Sequence, residues 1–140
     1  MSESNAQTDS FDGTIGMTIP PDPRLVRPVR LAVGGLAALA GFDVESIDDL
    51  RIAVNELTAR LIERGDGSEL SLKIAVITPN RIRIDASTVA GVEPADDDRF
   101  VFSDQILSVV ADDHGFERSN GNVTGWIVRD AVVWDDSEGA

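Results

Sequence analysis

The chain has 140 residues, no cysteine and a formal net charge of -13, from 12 Lys and Arg against 25 Asp and Glu. The missing cysteines exclude disulfides, thiolate metal sites and cysteine nucleophiles, and the negative charge argues against direct binding to a phosphate backbone. The length suits one domain, and no apolar run nears the ~18 residues of a membrane helix, so no membrane partner is expected.

Residues 1–13 are polar and lack both a basic n-region and an apolar h-region. They are expected to be a disordered tail rather than a secretory signal, which with the missing cysteines fits a cytoplasmic location. Thr14 to Ile19 alternates as an edge strand would, and Pro20-Pro21 stops it. Asp22 and Pro23 then start a helix carrying Val26, Val29, Val33, Leu36, Ala37 and Ala40 at helical spacing. Pro28 removes a backbone donor, so a kink or a first turn set apart is expected. Gly34-Gly35 is unfavourable inside a helix unless something packs closely there, and Gly41 ends the helix.

The central stretch is DLRIAVNELTARLIERG, Asp49 to Gly65. Ile47, Leu50, Val54, Leu57 and Leu61 recur at three- and four-residue steps, one face of a helix. Ser46 is the expected N-cap, with Asp49 as its capping-box acid and Gly65 as a left-handed C-terminal residue. Glu56 and Arg60 stand four apart on the shoulder of the apolar face, an acid-then-base pair worth ~0.3–0.5 kcal/mol if solvated.

From Leu70 the period changes to two. Leu70, Leu72, Ile74 and Val76 form a strand, Pro79-Asn80 turns the chain, and Arg81 to Asp85 returns as its hairpin partner. Residues 88–99 read as a loop whose Asp96-Asp97-Asp98 run lacks the spacing of a calcium loop. Ser103 is expected to cap a third helix ending at Asp112-Asp113. His114, with no partner for catalysis or metal binding, reads as a loop or strand residue. Phe116 to Arg118, an Asn120-Gly121 turn and Val123 to Trp134 close the chain as a hairpin, and 135–140 is an acidic tail. Hairpins with grouped helices imply an α+β two-layer sandwich, residues 14–134, with a mostly antiparallel sheet covered on one face.

This order, with DLRIAVNELTARLIERG and RIRIDAS, resembles the RsbW-type anti-sigma factor and serine-protein kinase family, most of all its actinobacterial branch. That family has the histidine-kinase-like ATPase (Bergerat) fold. The resemblance implies a cytoplasmic homodimer that sequesters a stress- or sporulation-type sigma factor and is itself opposed by an anti-anti-sigma (STAS-type) protein.

Members that use ATP carry Glu-x-x-x-Asn, with the Glu as general base and the Asn on Mg²⁺. Here the Glu is Glu56 and the Asn position holds Arg60, whose guanidinium has no lone pair for a metal. Their Asp-x-Gly-x-Gly matches Asp85-Ala86-Ser87-Thr88-Val89, keeping the adenine acid as Asp85 and losing both glycines. The late Gly-x-Gly that cradles phosphates falls on Val101 and Ser103. The resemblance therefore implies a vestigial nucleotide site at Glu56, Arg60 and Asp85, with no cofactor or metal required. An active ATP- and Mg²⁺-dependent serine kinase, with Glu56 as catalytic base, is the alternative. The sigma-facing helix would offer Arg24, Arg27 and Arg30, three residues apart and on one side.

Overall fold

The computed structural model describes residues 13–77, 79–93 and 100–131. Residues 1–12 of the first expected tail, the acidic tail, the Asp96-Asp97-Asp98 run and the end of the closing hairpin at Trp134 lie outside them. The elements are β1 (Thr14–Ile19), a 3-10 turn (Pro23–Leu25), α1 (Val26–Leu39), α2 (Val44–Arg64), β2 (Leu70–Ile77), β3 (Arg81–Val89), α3 (Val101–Val110), β4 (Asp113–Ser119) and β5 (Asn122–Asp130). The five strands form one antiparallel sheet in the order β1-β2-β3-β5-β4. This is the expected α+β sandwich, with the helices on one face.

Register and alternation decide which residues meet the helices. Ile15, Ile74, Ile84, Ile127 and His114 lie in one row across the sheet, and the three central isoleucines are fully buried. Against them pack Leu50, Val54, Leu57 and Leu61 of α2 and Val29 and Val33 of α1, each fully buried and worth ~1.5–3 kcal/mol. The next row, Gly16, Lys73, Asp85, Trp126 and Gly115, stands on the opposite, open face. His114 is a strand residue on the covered side at the sheet edge.

Pro28 is accommodated because the chain sets its first turn apart. The 3-10 turn is capped by Asp22, whose Oδ1 accepts from the Arg24 amide at 2.9 Å, and Pro28 falls in the first turn of α1, where its missing N–H has no partner to lose. Gly34 lets the Arg51 guanidinium of α2 lie close, 2.9 Å from where a Cβ would sit, whereas Gly35 faces open space. Gly41 ends the helix region with φ +88°.

Six local expectations give way. α2 begins at Val44 with Asp43 at the cap position, and Ser46 is buried in the first turn, its hydroxyl 3.4 Å from an Arg129 nitrogen. Asp49 pairs with Arg129 at 3.0 Å rather than completing a capping box. Gly65 is extended (φ -80°, ψ 175°) and bridges to Ala90, and the Thr88 side chain leaves no room for a Cβ there. β3 runs on to Val89, through the start of the expected 88–99 loop, because Thr88 continues its buried alternation. α3 starts at Val101, so Ser103 lies inside its first turn with a buried hydroxyl that has no hydrogen-bond partner. The helix stops at Val110, and Asp113 already belongs to β4.

Candidate functional site

The outer shoulder of α2 is where the sequence puts its strongest candidates, and the structure separates them. Glu56 is partly exposed, and makes no hydrogen bond or ion pair among the described residues, with Arg60 or any other group. Arg60 turns inward. Its side chain is 8% exposed; one terminal nitrogen donates to Asp104 Oδ1 at 2.7 Å and to the Phe100 carbonyl at 3.2 Å. Its guanidinium carbon lies 3.8 Å from the Phe116 ring centroid and 4.5 Å from that of Phe100. Burying a guanidinium costs several kcal/mol, and only a charged acceptor together with aromatic faces, each worth ~0.5–2 kcal/mol, offsets that. The solvated Glu56–Arg60 pair of the sequence reading is therefore replaced by a long-range clamp joining α2, α3 and β4.

The elements position this clamp closely. Gly125 of β5 leaves room for Leu57 and Phe116, since a Cβ there would come within 2.6 Å of the first and 2.8 Å of the second. Phe116 is thereby brought over the sheet beside α2. Phe100 precedes α3, and its carbonyl accepts both the Arg60 donor and the Asp104 amide of the first helical turn.

Asp85 is on the other side of the sheet. Ile84 and Ala86 face the helices, so Asp85 points to the open face, where Arg83 donates to both of its oxygens at 2.9 and 3.0 Å. It lines an open groove of about 760 Å³ with Lys73, Arg83, Asp113 and Trp126. The helix-facing polar residue further along β3 is Thr88, buried, its hydroxyl proton shared between the carbonyls of Ser68 and Glu69. Glu56 and Asp85 thus cannot touch one ligand.

As the resemblance matches them, these residues do not suit Mg-ATP. The position it assigns to a metal ligand holds the Arg60 guanidinium, already engaged by a carboxylate and two rings. The matched adenine acid points away, and Val101 and Ser103 stand where backbone amides would need glycine for close approach. Among the described residues no cluster of three or more His, Cys, Asp or Glu is arranged to hold a metal ion.

The arginines of the first helix form a second region. Arg24, Arg27 and Arg30 line one groove of about 590 Å³ between α1 and α2, with Asn55, Ile62 and Glu63 opposite. Arg24 is engaged by Asp22 at 2.7 Å, and this bond holds the Asp22 carboxyl down at about 2. Arg30 donates to Asn55 Oδ1 at 2.9 Å. Arg27 is exposed and makes no hydrogen bond or ion pair among the described residues. Arg30 and Asn55 also line a neighbouring groove of about 490 Å³ with Asp48, Arg51 and Ile52.

Sequence reasoning missed Asp104, Phe100 and Phe116, which lie 40 or more residues from Arg60 and carry no local signal of a common site. It could have placed Asp85, because the alternation that buries Ile82 and Ile84 already turns the intervening positions outward.

No protein-family model matches the chain. It is 34% identical over 62 residues to the serine-protein kinase RsbW of Bacillus velezensis, covering 44% of this chain and 39% of the relative. It is 36% identical over 62 residues to RsbW of Listeria monocytogenes, covering 44% and 40%. The chain spans about two-fifths of the length of these curated relatives. Among solved structures, the RsbU and RsbW domains of Rv1364c from Mycobacterium tuberculosis superpose with a TM-score of 0.70 at 14% identity, over 85% of this chain and 32% of that one. A chain of the SiaB-SiaC complex from Pseudomonas aeruginosa gives 0.57 at 12% identity, over 94% and 96%. The similarity to RsbW proteins therefore stands in sequence over 62 residues, and the fold is shared with these two solved structures. No helix among the described residues is long and apolar enough to cross a membrane.

Proposed function

We propose that this chain is an anti-sigma factor of RsbW type that binds and sequesters an alternative sigma factor by surface contact, and that does so without ATP. The similarity to RsbW proteins supports the anti-sigma role. The observation that carries its independence from nucleotide is the Arg60 clamp, where a cation of the chain itself stands in place of a metal ligand. A homodimer, an opposing STAS-type protein and a stress- or sporulation-type target go with this reading, as does a cytoplasmic location. The sigma-facing surface is the α1–α2 groove, in which Arg27 carries a charge unspent on any described residue. Within a chain of net charge -13, such a basic strip suits an acidic segment of the partner.

The test is reconstitution with the alternative sigma factors of the source organism, followed by gel filtration and in vitro transcription. The expected result is a stable complex and repression that are the same with or without Mg-ATP. Complexes that form only with Mg-ATP would contradict the reading. The kinase alternative is favoured by the name of the matched relatives, serine-protein kinase RsbW, and by Glu56 in its motif position, partly exposed and unpaired among the described residues. Phosphate transfer from Mg-ATP to a STAS-type protein, abolished in Glu56→Ala, would establish it in place of the first reading.

A further inference from the structure

We infer that Arg60 serves as a built-in cation that keeps α3, from Phe100 onward, docked on α2 with no ligand present. α3 is short, Val101–Val110, and only Ser103, Leu107 and Val110 of it are buried. So small an apolar face is a weak anchor for a helix, and the first turn contributes little to it. Ser103, its buried residue in that turn, offers a hydroxyl without a partner.

Arg60 makes most of the contacts that fix the first turn, with the Arg64 guanidinium 5.0 Å from the Phe100 ring beside it. The Arg60 guanidinium reaches the Asp104 carboxylate, the Phe100 carbonyl and the Phe100 ring, three groups of one turn, while its other side lies against Phe116 of β4. A planar fork can make these contacts together, whereas a lysine ammonium is a point charge without a stacking face. Asp104 is half exposed, so the pair is buried from the Arg60 side only. Removing the carboxylate strands a buried cation, but removing the cation releases an acid into water.

The inference goes beyond the proposed anti-sigma role and does not depend on it, because it concerns this chain alone. Hydrogen exchange read by mass spectrometry on the full chain tests it, comparing wild type with Asp104→Asn, Arg60→Lys and Arg60→Asn in the absence of nucleotide. Asp104→Asn keeps the shape of a half-exposed side chain, so the fold is expected to survive it. The expected result is that amides of residues 101–110 exchange at least tenfold faster in Asp104→Asn and Arg60→Asn, and by an intermediate factor in Arg60→Lys. The amides of β2 and β3 should be unchanged. Unaltered protection of α3 in both Asp104→Asn and Arg60→Asn would overturn the inference. So would a loss shared equally by the sheet, which would make Arg60 a general stabiliser and not the fastener of one helix.

Discussion

Arg60 and Arg27 are the same residue type on adjacent helices, and the structure uses them in opposite ways. Arg60 is buried against two phenyl rings and a carboxylate, so its charge is consumed within the fold. Arg27 is exposed in the α1–α2 groove, so its charge is available to something outside it. The lesson is that a basic residue in a motif position says little about function until its partners are known. By the motif alone Arg60 was a vestigial nucleotide-site residue beside Glu56; by its surroundings it is a buried cation tied to α3 and β4.

The comparison predicts unequal responses. The largest belongs to the clamp: Asp104→Ala should lower stability by about 2–3 kcal/mol, because it leaves a buried guanidinium with only a carbonyl and two rings. Arg60→Met should cost less, about 1 kcal/mol, since the freed Asp104 is half exposed and a flexible apolar chain refills the space between the rings. Chemical denaturation of both variants measures this, and an Arg60→Met cost above that of Asp104→Ala would break the proposed asymmetry.

In the groove the pattern inverts. Arg27→Glu should change stability by no more than about 0.5 kcal/mol. The double change Arg27→Glu with Arg30→Glu should weaken capture of the sigma factor at least tenfold, read by surface plasmon resonance. Unchanged capture would remove the basic strip from the interface. Part of any effect at Arg30 comes through its hydrogen bond to Asn55, so Asn55→Ala serves as the control and should weaken capture less than the double change.

The smallest effect concerns acid. Arg24 holds the Asp22 carboxyl at about 2, below its usual value of 3.8. A folded-state value below the unfolded one means this contact stabilises the chain above about pH 4 and loses its contribution as pH falls from there towards 2. Asp66 and Asp130 are lowered as well, the first chiefly by Ser68 and the second chiefly by Arg81, so they act in the same direction. Side-chain NMR of the Asp22 carboxyl should show a midpoint near 2 that rises in Arg24→Ala but stays below the ordinary range, because the amide of residue 24 still donates to it. A normal midpoint in the parent chain would show that Arg24 is as free as Arg27.

Much of the fold was legible because its signals are local. The alternation from Leu70 to Val76, the Asn120-Gly121 turn and the helical spacing in α2 each follow from a few neighbouring residues. Pro28 announced the separate first turn by the donor it lacks. The cap assignments failed where a polar residue turned inward: Ser46 and Ser103 are buried in first turns, which residue type alone does not reveal. The candidate site was legible only in part. The departures at Arg60, Val89, Val101 and Ser103 were on the page as letters, but what replaces a nucleotide contact depends on Phe100, Asp104 and Phe116 arriving from distant elements. Asp85 was placed in the site by its motif against the alternation of its own strand, and the alternation was the better guide.

The central claim, that Arg60 and its partners occupy the position a metal-bound nucleotide would need, is tested most directly by isothermal calorimetry of ATP titrated into the chain with and without Mg²⁺. The account predicts no saturable heat in either case. A saturable, Mg²⁺-dependent isotherm that disappears in Glu56→Ala would contradict it.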